Sequence, residues 1–91
     1  MEASDLSGNQ KIRTPVTIYG QHYIITGTET SAHVKKVARL VDEKMYEIRS
    51  ANPNLDTSKL AVLTAVNAVH DYIKLHERFE HLEKELERLK G

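Results

Sequence analysis

Cysteine is absent from all 91 residues, so no disulfide can brace this chain. That absence fits a reducing compartment. A chain this short buries proportionately little apolar surface, and small domains are commonly supported by disulfides, a metal or oligomerisation. Without thiols, structural zinc would rest on histidine and carboxylate alone, which leaves self-association as the expected support. Charge of one sign is missing too: 13 Lys and Arg balance 13 Asp and Glu. No basic excess is available to neutralise a phosphate backbone, which argues against nucleic acid as a partner. Long apolar runs are also lacking. The stretch from Leu60 to Val69 is interrupted by Thr64 and Asn67 and is far too short to cross a bilayer, so no membrane association is expected. The first residues lack the basic, apolar, small-residue order of a secretory leader. A soluble cytoplasmic protein is the expectation.

What is present falls into three segments. Residues 1–13 are small and polar and read as a disordered tail. From Thr14 the pattern alternates through Val16 and Ile18, then Gly20-Gln21, then Tyr23 and Ile25. Glycine at the first position of a two-residue loop suits a type II′ hairpin turn. Counting outward from that loop pairs Ile18 with Tyr23 and Val16 with Ile25 on one apolar face. Thr17, Tyr19, His22 and Ile24 fall on the other, more mixed face. An isolated hairpin is only marginally stable, so it must lie on helices or join a larger sheet.

Thr28-Glu29-Thr30-Ser31 offers N-caps for a first helix at about 30–51. Val34, Val37, Ala38, Val41, Met45 and Ile48 recur at helical spacing, and Asn52-Pro53 should end the run. Asp56 then caps a second helix from about residue 57, which meets no proline and no glycine before Gly91. Its first half carries a wide apolar face of Leu60, Val62, Leu63, Val66, Val69 and Ile73, flanked by Ala61, Ala65 and Ala68. A face so wide belongs in a globular core, where alanines let helices approach closely.

Beyond residue 75 that face narrows to Leu75, Phe79, Leu82, Leu86 and Leu89, spaced four, three, four, three, which is a heptad seam. With the three leucines 75, 82 and 89 at d, Phe79 and Leu86 occupy a. A parallel in-register pair would then set Arg78 against Glu83 and Glu85 against Lys90 of the other copy. Such exposed pairs bias orientation rather than drive assembly, and antiparallel packing stays open. Two helices of about fifteen residues are marginal alone, so pairing is expected to extend back through Ala61, Ala65 and Ala68. The expected fold is α+β: a head over residues 14–74 built from hairpin, first helix and start of the second, followed by a coiled-coil extension over 75–91.

Residues that could carry chemistry do not assemble. His76-Glu77 begins like a zinc-protease helix motif, but Glu80 stands where the second histidine is needed and His81 points elsewhere. Ser31 and Ser58 sit at helix starts, where capping explains them. No glycine-rich phosphate loop follows the hairpin. No metal, cofactor or catalysis is expected. Asn67 stands out inside Ala65-Val66-Asn67-Ala68-Val69: it is either a satisfied amide fixing register at a subunit interface or a surface amide meeting a partner.

The run Leu55-Asp56-Thr57-Ser58-Lys59-Leu60-Ala61-Val62-Leu63-Thr64-Ala65-Val66-Asn67 resembles the ZapA family of bacterial cell-division proteins. Val16-Thr17-Ile18-Tyr19-Gly20-Gln21, Val41-Asp42-Glu43-Lys44-Met45 and the order of elements agree with it. It resembles the short form of Gram-positive bacteria. The resemblance implies a non-enzymatic protein at the midcell division site. Such a protein binds the tubulin-like GTPase FtsZ, cross-links its filaments and stabilises the Z-ring, as a homodimer and by pairing of dimers as a tetramer. It also implies an FtsZ-binding surface at Arg49, Thr57, Ser58 and Asn67. Thr57 and Asn67 keep the family's residue type, whereas Ser58 replaces an acidic residue. A generic coiled-coil adaptor with another protein partner is the competing expectation.

Overall fold

The structure is a computed structural model whose described residues are 11–91. Of the tail expected over residues 1–13, residues 1–10 lie outside them. The elements are β1 (Ile12–Ile18), β2 (Gln21–Gly27), α1 (Ser31–Ala51) and α2 (Thr57–Lys90), and the chain divides into two compact units between Asn54 and Leu55.

In the first unit β1 and β2 form an antiparallel hairpin. It starts earlier than expected, because Ile12 pairs with Gly27 and Arg13 with Thr26, so residues 12 and 13 are strand rather than tail. The turn is also corrected. Its two loop residues are Tyr19 and Gly20, with φ of 51° and 78°. Positive φ at both positions marks a type I′ turn rather than II′. The register moves with it: Ile18 faces Gln21, Val16 faces Tyr23 and Thr14 faces Ile25. A shift of two residues preserves the side of the sheet on which each residue lies. Thr14, Val16, Tyr23 and Ile25 therefore still share a face, while Thr17 bonds its new opposite number across the other (Oγ1 to His22 Nδ1, 3.0 Å).

α1 packs on β1. Thr14 and Val16 are buried, and α1 contributes buried Ala38, Met45 and Ile48, with Val34 and Val41 half-buried. Val37, expected in this stripe, is instead exposed. The Thr14 hydroxyl, fully shielded, is satisfied by the Ser31 hydroxyl at 2.9 Å, which ties strand to helix start. Thr30 is the N-cap, its Oγ1 accepting from His33 N–H at 3.1 Å. At the other end Asn52 closes α1 twice, since its backbone N–H and its side-chain amide both reach the Ile48 carbonyl at 3.0 Å. Pro53 follows and cannot extend the helix.

The second unit is built on α2. Asp56 caps it as expected, accepting from Lys59 N–H at 2.8 Å. Among its residues only Leu60 and Thr64 are buried. The sequence pattern treats Thr64 as an interruption, yet its hydroxyl donates to the Leu60 carbonyl one turn back at 2.7 Å, so the polar group is satisfied within the helix. The expectation that the wide apolar face forms a core is corrected for the single chain: Val62, Val66, Val69 and Ile73 are all about half exposed or more.

Candidate protein-binding and self-association surfaces

Three surfaces bear on function. The first surrounds the hairpin turn. Tyr19 occupies the left-handed region, unusual for a bulky side chain. It is held there three ways by α1: its N–H donates to Asp42 Oδ1 at 2.7 Å, its ring lies against that of Tyr46 with centroids 4.8 Å apart, and its hydroxyl accepts from Arg49 Nη1. Asp42, Tyr46 and Arg49 are spaced four and three residues apart, so α1 presents them along one stripe. Of these, sequence reasoning named only Arg49, as what the family resemblance implies; Tyr19, Asp42 and Tyr46 were not singled out. The signal available was the tyrosine directly before the turn glycine, combined with that stripe.

The second surface is the start of α2. Thr57 and Ser58 lie exposed in its first turn. Ser58 borders a shallow apolar groove of about 420 Å³ with Leu55, Lys59, Val62, Leu63 and Val66. Asn67 does not join it. The nine residues from 58 to 67, at roughly 100° each, leave the two side chains about half a turn apart around the helix. Asn67 instead continues the face of buried Leu60 and Thr64, at the seventh and third residue on, and is itself half-buried. No single face of α2 therefore offers both Ser58 and Asn67.

The third surface is a seam along α2. Ala61, Ala65 and Ala68 are exposed, and so are Leu75, Phe79, Leu82, Leu86 and Leu89. Tyr72, 66% exposed, falls between the two sets and keeps the four–three spacing unbroken from residue 61 to 89. That seam runs about 42 Å at 1.5 Å per residue. Beside it the shorter stripe Val62, Val66, Val69, Ile73 ends where His76 pairs with Glu80 at 3.3 Å. Farther on, Glu85 takes Arg88 at 2.5 Å, with His81 at 3.9 Å. These pairs line the helix with charge on either side of the apolar stripe.

His22 makes a cross-strand bond and His76 and His81 take part in helix-surface pairs, and among the described residues no three His, Asp or Glu side chains converge as a metal site would need. No described helix is long and apolar enough to cross a membrane.

The model of the family described as "Cell division protein ZapA" matches residues 15–91. A cell division protein ZapA of Bacillus subtilis (strain 168) is 57% identical over 81 residues, covering 89% of this chain and 95% of that protein. One from Geobacillus sp. (strain WCH70) is 55% identical over 85 residues, covering 93% of this chain and 98% of the relative. A solved structure described as a ZapA mutant dimer from Geobacillus stearothermophilus shares 45% identity, with a TM-score of 0.69, and covers 93% of this chain and 99% of its own. With this hairpin, these two helices and this coverage, the chain belongs to the ZapA family of cell-division proteins.

Proposed function

We propose that this protein binds FtsZ without catalysing a reaction and cross-links its filaments at the midcell division site, so stabilising the Z-ring. Family membership across residues 15–91 supports the process, and the exposed seam from Ala61 to Leu89 supports the mechanism. An apolar stripe that long on one helix loses its water only against another chain, and the solved structure of a 45% identical relative is described as a mutant dimer. In a twofold dimer every surface of the first unit occurs twice. Two weak sites on one body raise the effective concentration of the second once the first is engaged, so a pair of filaments is bridged without any single tight contact. Pairing of dimers through the Leu75–Leu89 end would raise the number of sites further.

The test is right-angle light scattering and co-sedimentation of GTP-assembled FtsZ with increasing amounts of this protein. Scattering should rise and the protein should pellet with the filaments. Unchanged scattering with the protein left in the supernatant refutes the reading, and capture of some other partner instead would favour a general coiled-coil adaptor.

A further inference from the structure

We propose that Tyr19, Tyr46 and Arg49 form the docking spot for a carboxylate-bearing segment of the filament protein; this rests on the FtsZ reading above and names the face that carries it. The first observation is the cost of Tyr19. Type I′ turns favour Asn, Asp or Gly at both loop positions, because these tolerate positive φ. A tyrosine at φ 51° is a strained choice where asparagine would make an easier turn. The strain is met by three contacts to α1, and they leave the ring pair at the surface: Tyr19 is only half-buried and Tyr46 is 53% exposed.

The second observation is electrostatic. Along this side of α1, Arg39 pairs with Glu43 at 3.0 Å and Asp42 is engaged by the Tyr19 N–H, while Lys35 lies two turns before Asp42 on the same stripe. Arg49, among the described residues, contacts the neutral Tyr19 hydroxyl and pairs with no carboxylate. Its guanidinium has five N–H donors in a planar fork suited to bidentate carboxylate recognition. One donor fixes the fork against the Tyr19 phenol, and the fork's remaining donors belong to an exposed residue at the end of α1. Tyrosine and arginine so arranged are the residue types that dominate protein interfaces, and an anchored side chain loses little rotamer freedom on binding. The chemistry selects an acidic segment with an apolar neighbour.

The experiment compares the full-length protein with Tyr19→Asn, Tyr46→Ala and Arg49→Gln in co-sedimentation with GTP-assembled FtsZ at several salt concentrations. Thermal midpoint and sedimentation velocity are recorded for each. Tyr19→Asn keeps a turn-compatible residue and Tyr46→Ala a strong helix former, so both should fold and self-associate as the parent does. Binding should weaken by roughly tenfold or more in each variant, the size expected of interface hot spots. Arg49→Gln should also flatten the salt dependence, which mere damage to the turn would not do. Parent-like binding by folded Tyr19→Asn and Tyr46→Ala overturns the docking spot while leaving the FtsZ reading intact. Failure of the parent protein itself to bind overturns both.

Discussion

Arg49, in the last turn of α1, donates a hydrogen bond to the hydroxyl of Tyr19 at the hairpin turn, thirty residues earlier in the chain. A long-range tie of this kind orients a turn that would otherwise swing with the twist of a two-stranded sheet. It also immobilises a cationic side chain that is ordinarily mobile, so that the first unit presents a defined surface at its turn.

The turn depends on backbone geometry more than on packing, and Gly20 isolates that dependence. Its φ is 78° and a Cβ built there meets nothing within 4 Å. Gly20→Ala should therefore cost about 1 kcal/mol from the left-handed conformation alone. Urea unfolding checks it; an unchanged midpoint would mean that the turn relaxes to another type.

Asp42 tests the tie from the other side. Its carboxylate accepts the Tyr19 N–H at 2.7 Å from a partly buried position. Asp42→Ala leaves that N–H without its charged acceptor and should destabilise the first unit by about 1–2 kcal/mol. Asp42→Asn keeps a weaker acceptor and should fall between parent and alanine variant. Equal stabilities for all three would show that solvent serves the N–H equally well.

How far the sequence carried the fold can be judged from such residues. Helix ends were readable because capping is local chemistry: Thr30, Asn52 and Asp56 each act within a few residues of their own position. Sheet faces were readable because alternation survives a shift of two. Register was not. It turned on which two residues form the loop, and Tyr19 adopts positive φ only with Asp42, Tyr46 and Arg49 around it, contacts that lie more than twenty residues away. Burial along α2 was misjudged because apolar periodicity says that a face will be covered, not by which chain. The Leu75–Leu89 stripe was legible from its four–three spacing, whereas Tyr72, which continues that spacing back to Ala61, Ala65 and Ala68, was not singled out. Thr64 was missed since its hydroxyl is satisfied by its own helix.

Ser58 and Asn67 test two different faces of α2. The first turn of the helix holds no acidic residue. Ser58→Glu adds a negative charge at the positive end of the dipole and should stabilise by about 0.3–1 kcal/mol, less at high salt. Asn67→Ala, on the face of Leu60 and Thr64, replaces a half-buried amide with the strongest helix former and should hold or raise the thermal midpoint. A midpoint lowered by Asn67→Ala would show that the amide is hydrogen-bonded across an interface in the assembled protein.

The seam makes the sharpest demand. Leu82 and Leu86 are 61% and 57% exposed in the single chain, and each should lose most of that exposure on pairing. Burying a leucine side chain is worth about 1.5–3 kcal/mol. Replacing both by glutamate removes that gain from each chain and sets like charges into the seam. Leu82→Glu with Leu86→Glu should therefore weaken self-association at least ~100-fold, and more where both chains' losses add. The weight-average mass in sedimentation equilibrium should fall at concentrations where the parent is assembled. Chemical shifts of the hairpin and α1 should stay in place, because both positions lie in the other compact unit. A variant that sediments as the parent does would move the interface off this stripe and onto the neighbouring face of Val62, Val66, Val69 and Ile73.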